Sequence, residues 1–103
     1  MMSTIEIFML TYALELEDGK YYVGKSTNLN LRLAQHFTGD GSRWTKRYKP
    51  MRLLHVFLGD VEREKTLFFM KTYGWQNVRG SSWCKVNMTS APMCLRYYLL
   101  DLD

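Results

Sequence analysis

Residues 8–36 read FMLTYALELEDGKYYVGKSTNLNLRLAQH, and this stretch decides the fold. Residues 7–16 and 20–24 are rich in β-branched, aromatic and aliphatic side chains, which favour strands. The sequence Glu-Asp-Gly at 17–19, between the two runs, is typical of a tight turn. The stretch therefore predicts a β-hairpin.

The turn of this hairpin has two possible registers, and they bring different side chains together. A two-residue loop places Tyr12 opposite Lys25 and puts Tyr22 on the other face of the sheet. A three-residue loop, with Gly19 in the left-handed conformation, pairs Leu14 with Tyr22 instead. The two tyrosines then share one face, about one diagonal neighbour apart. We favour this second register.

A short amphipathic helix is predicted directly after the hairpin. Ser-Thr-Asn at 26–28 supplies good N-cap residues, and apolar side chains recur every four positions in 29–37. Arg32 and His36 are also four residues apart, so they lie on one helical face, one turn from each other.

The rest of the chain predicts one more strand and two more helices. Residues 51–58 read as a third strand that ends at Gly59. Residues 61–73 read as a helix that Gly74 ends, and the segment 89–92 opens a final helix with a cap candidate followed by proline.

Together these residues resemble the GIY-YIG nuclease family. Leu-Thr-Tyr at 10–12 stands where the family has its first triplet, and Tyr-Val-Gly at 22–24 stands where it has its second. Only the tyrosine of the first triplet is kept, since Leu and Thr replace Gly and Ile. Three further residues follow at familiar intervals: Lys25, Arg32 and His36. The resemblance continues through 41–45 and from Glu64 to 78–80, as in small stand-alone members, and so covers most of the chain.

The resemblance implies an α+β fold with a small antiparallel three-stranded sheet flanked by helices. It also implies a metal-dependent endonuclease that hydrolyses DNA phosphodiester bonds. Glu64 would then hold one divalent cation, Mg²⁺ or Mn²⁺, together with water molecules. Arg32 would bind the scissile phosphate, a task that suits its planar guanidinium group.

A tyrosine would orient or deprotonate the attacking water in such a site. The ordinary pKa of tyrosine is about 10, so this role requires a cation nearby, and Lys25 is the natural neighbour. Tyr12 is our candidate base, with Tyr22 and His36 orienting water and phosphate. The roles of the two tyrosines could also be exchanged.

The spacing of apolar residues in the helix at 61–73 predicts which way Glu64 points. Glu64 is followed at three and four residues by Leu67 and Phe68, so we expect it to point towards the packed side, and Glu62 to lie on another face. An inward carboxylate is costly unless a metal ion or an arginine compensates it. A second interpretation is that Glu64 only complements the N terminus of its helix.

Residues 38–50 predict a basic loop with interleaved aromatic side chains, in which 42–46 could form one helical turn. Basic groups neutralise phosphates, and flat rings stack on bases. The nucleic-acid-binding candidates in this loop and in the polar connection at 75–82 are Arg43, Trp44, Lys46, Arg47, Lys49, Asn77 and Arg79. Trp44 could instead fill the core, and Asn77 could instead hold its loop through backbone hydrogen bonds.

Composition predicts one domain that spans residues 1–103. The 14 Lys plus Arg against 10 Asp plus Glu give a net charge of +4, which suits a polyanionic partner. Cys84 and Cys94 lack the spacing of a metal site or a disulfide framework, so we expect reduced thiols in an intracellular protein, cytosolic or nuclear and not secreted. No apolar run approaches the roughly 20 residues of a membrane span, so no membrane partner is expected.

A competing motif covers residues 19–26, which match the phosphate-binding pattern G-x-x-x-x-G-K-S. A P-loop must be a loop whose backbone amides face the phosphates. The middle residues here, Lys-Tyr-Tyr-Val, favour a strand, and polar capping residues follow where a helix should leave the loop. We therefore disfavour nucleotide hydrolysis.

The alternative function is a non-catalytic nucleic-acid-binding module of the same fold, which the altered first triplet permits. A protein-interaction domain that uses its aromatic side chains is a more distant third. The expected partner is DNA, as a duplex or in nicked or branched form. A targeting protein or a homodimer could add the specificity that one small domain lacks.

Overall fold

A computed structural model describes residues 8–95 and shows an α+β fold built on one mixed sheet. Two short 3-10 turns, at Glu17–Gly19 and Trp75–Asn77, connect neighbouring elements. The strands and helices, in chain order, are β1 Leu10–Leu16, β2 Tyr21–Ser26, α1 Leu29–Phe37, α2 Arg43–Arg47, β3 Pro50–Leu58, α3 Glu62–Tyr73 and β4 Val78–Gly80.

The hairpin of β1 and β2 adopts the three-residue loop that we favoured. Leu14 pairs with Tyr22, and the backbone N–H of Leu16 donates to the carbonyl of Lys20 over 2.8 Å to close the loop. The loop contains two left-handed residues rather than the one expected, because Asp18 has φ 60° as well as Gly19 at 68°. Aspartate tolerates this conformation better than most residues do. The predicted register is confirmed.

The sheet order is β3-β1-β2-β4. The three predicted strands form the antiparallel part, with β1 between β2 and β3. The fourth strand pairs parallel with β2 and lies in the segment that we expected to be only a polar connection. It has just three residues, Val-Arg-Gly, all buried, and an arginine in the middle of so short a run hides the pattern of a strand.

The two faces of the sheet carry different cores because side chains alternate along the strands. On one face, against α1 and α2, the buried cluster is Leu14, Leu16 and Trp44. The other face packs against α3, with a cluster of Ala13, Val23, Leu67, Phe69, Met70, Val78 and Leu95. We call these the α1–α2 face and the α3 face.

The orientation of α3 contradicts the expected placement of Glu64. The buried residues of this helix are Thr66, Leu67, Phe69 and Met70, whereas Glu64 is exposed and Phe68 is 45% exposed. Glu62 lies one turn before Thr66 and is half-buried. The apolar run 67–70 covers more than one side of the helix, so spacing alone could not select the stripe that packs.

Thr11 fixes the start of α3 relative to the sheet. Its hydroxyl donates to the carbonyl oxygen of Gly59 over 2.8 Å and accepts the backbone N–H of Val61 over 2.9 Å. The side chain is completely buried on the α3 face. Thr11 therefore ties β1 to the turn that immediately precedes Glu62.

The ends of the remaining helices follow the expected chemistry. Gly74, with φ 93°, ends α3 as predicted, and Ser42 caps α2 by accepting the backbone N–H of Thr45. The final helix begins with a turn at 93–95, and its other predicted residues lie outside the described part of the chain. No helix between residues 8 and 95 is long and apolar enough to cross a lipid bilayer.

Candidate active site

The side chains of Tyr12 and Tyr22 lie next to each other on the α1–α2 face. Their ring centroids are 6.3 Å apart, as the register predicts. Tyr12 is completely buried and Tyr22 is partly exposed. A Cβ added at Gly24 would lie 2.5 Å from the hydroxyl oxygen of Tyr12, so the last residue of the second triplet must be glycine to admit this phenol.

His36 reaches the same pair of tyrosines from α1. Its Nε2 lies 2.6 Å from the hydroxyl oxygen of Tyr12, and its ring centroid lies 5.0 Å from that of Tyr22. Burial, with a smaller contribution from the nearby Arg32 guanidinium, lowers the pKa of His36 to about 4. The imidazole is therefore neutral at pH 7, and one of its two nitrogens can accept a hydrogen bond.

Arg32 is the cation closest to the tyrosines. Its guanidinium lies near enough to both phenol oxygens to favour their ionised forms, which opposes the effect of burial on their pKa values. Burial is the larger effect, so the pKa of Tyr12 and that of Tyr22 both remain above the ordinary 10.0. One guanidinium nitrogen donates to Gln35 over 3.0 Å, and the half-buried side chain remains open to solvent on one side.

Lys25 does not lie beside the tyrosines, although the sequence analysis predicted that it would. Tyr22 and Gly24 point to one face of β2, so Lys25 points to the other. Lys25 is exposed and forms an ion pair with Asp60 over 2.9 Å, which raises the pKa of Lys25 and lowers that of Asp60. Arg32 takes the position near the phenols that we had assigned to Lys25.

Glu62 is the carboxylate whose charge acts on both tyrosines. Burial raises the pKa of Glu62, Lys25 lowers it and Asp60 raises it again. The carboxylate is close enough to raise the pKa of both Tyr12 and Tyr22. We call Tyr12, Tyr22, Arg32, His36 and Glu62 the tyrosine site.

Glu64 lies away from the tyrosine site. It lines an open surface cleft with Asp60, Val61, Arg63 and Leu67. The sequence predicted that Glu64 points towards the packed side, and the structure places it in solvent instead. The spacing of Glu62 to Thr66 and Phe69 was also visible in the sequence, but only the packing of α3 shows which stripe is buried.

The donor set can be compared with the requirements of a divalent cation. No group of three or more His, Cys, Asp or Glu side chains able to hold a metal ion occurs among residues 8–95. Mg²⁺ commonly binds through one or two carboxylates and keeps several water molecules. The half-buried carboxylate of Glu62 fits a site of that open kind, completed by water and substrate oxygens.

Ser42 and Thr45, at the start of α2, were not selected from the sequence. Thr45 Oγ1 lies 2.9 Å from Nδ1 of His36, on the opposite side of the ring from Tyr12. The polar spacing Ser-x-x-Thr was a capping signal in the sequence, and it gave no sign of this contact.

Four of the proposed DNA-binding side chains are exposed. They lie on α2 or directly after it: Arg43, Lys46, Arg47 and Lys49. Tyr48 lies among them. The guanidinium of Arg47 is 5.4 Å from the centroid of its ring, and the ammonium of Lys20 is 5.3 Å from it. A cationic surface with one aromatic ring at its centre thus lies on the same face of the sheet as the tyrosines.

Three other DNA-binding candidates have structural roles. Trp44 is 2% exposed and its indole N–H donates to the carbonyl of Tyr21 over 2.8 Å, so it fills the core. Asn77 accepts from Lys20 and donates to the carbonyl of Tyr73, which holds the turn after α3. Both side chains take the alternative that the sequence had left open.

Arg79 is also unavailable to DNA. It is 2% exposed and its guanidinium lies 4.2 Å from the centroid of the Trp44 ring. Its nitrogens donate to four main-chain carbonyls, those of Trp75, Val78, Lys85 and Val86, over 2.6 to 3.0 Å. The expectation of a phosphate contact is wrong, because the surrounding backbone uses these donors.

Comparison with known proteins gives a family and several relatives. The model of the GIY-YIG catalytic domain matches residues 8–68, which contain the whole tyrosine site. A UPF0213 protein of Halobacterium salinarum is 38% identical over 53 residues, covering 52% of this chain and 69% of that protein. A UPF0213 protein of Streptococcus agalactiae is 36% identical over 72 residues, covering 66% and 82%. A UPF0213 protein of Streptococcus pneumoniae is 41% identical over 45 residues, covering 44% of this chain and 46% of that protein. No solved structure gives a significant match.

Proposed function

Because this chain belongs to the GIY-YIG family, we propose that it is an endonuclease that hydrolyses DNA phosphodiester bonds with one divalent cation at the tyrosine site. The observation that carries the proposal is the convergence of two phenols, a neutral imidazole, a guanidinium and a half-buried carboxylate. These are the groups that proton transfer and charge neutralisation at a phosphate require.

Arg32 binds the scissile phosphate in this proposal. Its planar group matches phosphate oxygens, and it is already adjacent to the phenol that activates the water. Movement of the half-exposed side chain onto the substrate would uncover the hydroxyl of Tyr12. Binding of the phosphate would thus open the base to water.

Tyr12 acts as the base because a proton acceptor lies directly behind it. The attacking water gives a proton to the phenol oxygen while the phenol's own proton passes to Nε2 of His36, 2.6 Å away. The hydroxide attacks phosphorus, the bond to the 3′ oxygen breaks with its electron pair leaving on that oxygen, and the resulting alkoxide takes a proton from solvent water. The partly exposed Tyr22 orients the water, and the imidazolium then returns its proton to solvent through the phenol.

Glu62, rather than Glu64, is the proposed ligand for Mg²⁺ or Mn²⁺. The cation would polarise the phosphate and stabilise the charge that develops on the leaving 3′ oxygen. Support comes from the charge of Glu62, which raises the pKa of both phenols.

DNA is the proposed partner, held along α2 by the exposed basic side chains that flank Tyr48. An intracellular location is consistent with the free thiols of Cys84 and Cys94. A targeting protein or a second copy would supply specificity for duplex, nicked or branched DNA.

The test compares Glu62→Gln with Glu64→Gln, two isosteric changes two residues apart on the same helix. Conversion of supercoiled plasmid to nicked and linear forms is followed with Mg²⁺ or Mn²⁺, with EDTA as a control. We expect Glu62→Gln to lower the rate by about 10²–10³-fold and Glu64→Gln to leave it unchanged.

The reverse pattern would return the metal site to Glu64. If the wild type cuts neither plasmid nor branched or single-stranded DNA, but binds DNA in a salt-dependent way, the chain is the non-catalytic module.

A further inference from the structure

A chain of buried hydrogen bonds continues from Tyr12 through His36 to the start of α2. Nε2 of His36 is 2.6 Å from the Tyr12 hydroxyl, and Nδ1 is 2.9 Å from Thr45 Oγ1. The Thr45 hydroxyl donates in turn to the carbonyl oxygen of Ser42 over 3.1 Å. Tyr12, His36 and Thr45 are each 1% exposed or less. Water therefore cannot substitute for any of these partners.

The direction of each bond follows from the groups around the Tyr12 phenol. The guanidinium of Arg32, which approaches the phenol oxygen, is only a donor. The same hydroxyl lies 2.6 Å from Nε2 of His36, and a hydrogen bond from Arg32 leaves the phenol proton available for that nitrogen. A phenol that donates to Nε2 requires the single proton of the neutral ring on Nδ1, and that N–H then needs an acceptor.

Thr45 is held so that its hydroxyl oxygen can accept a hydrogen bond from Nδ1–H of His36. The backbone N–H of Thr45 donates to the Ser42 side chain over 3.2 Å, which fixes the first turn of α2. When the Thr45 hydroxyl donates to the Ser42 carbonyl oxygen, 3.1 Å away, a lone pair of its oxygen faces Nδ1 of His36. Gly41 permits this close approach, because a Cβ there would overlap His36 Nδ1 and lie 2.7 Å from Thr45 Oγ1.

We propose that Thr45 is a positioning residue that holds His36 in the Nδ1–H tautomer, so that Nε2 can accept the proton of Tyr12. Thr45 touches neither the substrate nor the reacting atoms in this scheme. It acts through His36, and its importance for catalysis rests on the proposed endonuclease function.

The tautomer of His36 can be measured without any substrate. The chain has only two histidines, and the exposed His55 serves as an internal reference in nitrogen-15 NMR spectra of the side chains. At pH 7 we expect His36 in the wild type to show protonated Nδ1 and unprotonated Nε2.

Replacement of Thr45 tests whether this residue sets the tautomer of His36. Thr45→Val keeps the shape but offers Nδ1 no acceptor, so we expect the ring to move to the Nε2–H tautomer. Thr45→Ser keeps the oxygen and should restore the Nδ1–H tautomer. Thr72→Val is the matched control, because Thr72 also donates to a helix carbonyl but lies exposed near the end of α3.

Plasmid cleavage is measured on the same four proteins. We expect Thr45→Val to lower kcat by about 10- to 100-fold with little change in KM, and Thr45→Ser to recover most of the rate. An Nε2–H tautomer in the wild type, or an unchanged tautomer in Thr45→Val, would overturn the proposal.

Failure of the two proposals can be told apart. If the tautomer changes as expected but no protein cuts DNA, the positioning of His36 by Thr45 stands and the endonuclease proposal fails. If Thr45→Val changes tautomer yet cuts at the wild-type rate, the role of Thr45 in the reaction is wrong. Should Thr45→Val not fold, the wild-type spectrum still decides, because an Nε2–H tautomer there overturns the proposal.

Discussion

The tyrosine site and the cluster around Arg79 both place polar groups inside this small fold, but they satisfy those groups in different ways. At Arg79, main-chain carbonyls accept from the guanidinium at four points and the ring of Trp44 covers it. At Arg32, one nitrogen donates to Gln35 and the rest of the group remains next to two phenols and solvent.

The difference shows how a structural arginine is told from a functional one. A guanidinium whose donors end on backbone carbonyls joins segments of chain and has nothing left to offer a ligand. A half-exposed guanidinium beside phenols of raised pKa can exchange its present partner for a phosphate. In the sequence the two arginines look alike, since each lies in a segment with other polar residues.

Substitution of the two arginines should separate activity from stability. We expect Arg32→Ala to lower plasmid cleavage by about 10²–10³-fold while it changes the free energy of unfolding by less than about 0.5 kcal/mol. Arg79→Met should lower that free energy by about 3 kcal/mol or more, because buried carbonyls lose their donors. Cleavage rates and urea unfolding curves measure the two effects.

If Arg32→Ala and Arg79→Met both lower the cleavage rate per folded molecule, or both lower the free energy of unfolding, the distinction between the two clusters is wrong. Arg32→Lys is a useful third variant. A single ammonium charge replaces the planar guanidinium group there, so we expect only part of the activity to be recovered. Cleavage by Arg79→Met must be expressed per folded molecule, and on that basis we expect it to equal the wild type.

The pH dependence of stability should sharpen the comparison further. His36 has a pKa of about 4 in the folded protein and about 6.5 when unfolded, so the unfolded chain binds the proton more tightly. Its contribution to stability is complete above pH 6.5 and falls away as the pH drops towards 4. The loss is roughly 3 kcal/mol between pH 7 and pH 4.

The measurement is the free energy of unfolding of the wild type and of His36→Gln across this range. The raised pKa of Glu62 acts with the opposite sign, so the difference between the two proteins isolates His36. Parallel curves for both proteins would show that the imidazole is not buried in its neutral form. No comparable change is expected from Arg79, whose guanidinium stays charged throughout.

The smallest effect is expected at the basic surface of α2. The double change Lys46→Ala and Arg47→Ala should weaken binding to a DNA duplex by roughly tenfold and reduce the slope of log K against log salt by about two. Lys65→Ala, on α3 and so on the opposite face of the sheet, is the control. Equal losses in both proteins would mean that general charge, and not this surface, holds DNA.

The sequence predicted the hairpin register, α1 and most of the tyrosine site because those features depend on local pattern. The alternation of side chains and the three-residue turn were enough to bring Tyr12 and Tyr22 together. Helical spacing was enough to place Arg32 and His36 on one face.

The errors concern features that only tertiary packing decides. The buried stripe of α3, and with it the choice between Glu62 and Glu64, depends on how the helix rolls against the sheet. Arg79 is buried because loop carbonyls ten residues or fewer along the chain fold back around it. The stripe of Glu62, Thr66 and Phe69 is one of two that helical spacing allows, and the burial of Arg79 has no periodic signal in the sequence.

The hydroxyl of Thr11 has a consequence for how members of this family are recognised. It stands at the second position of the altered triplet, points away from the tyrosines and ties β1 to the turn before Glu62. A search that scores this triplet by identity penalises a residue that here ties β1 to the turn before α3. Diagnostic weight belongs on the tyrosine at position 12 and on its imidazole partner, since they can be retained after the signature that names the family has changed.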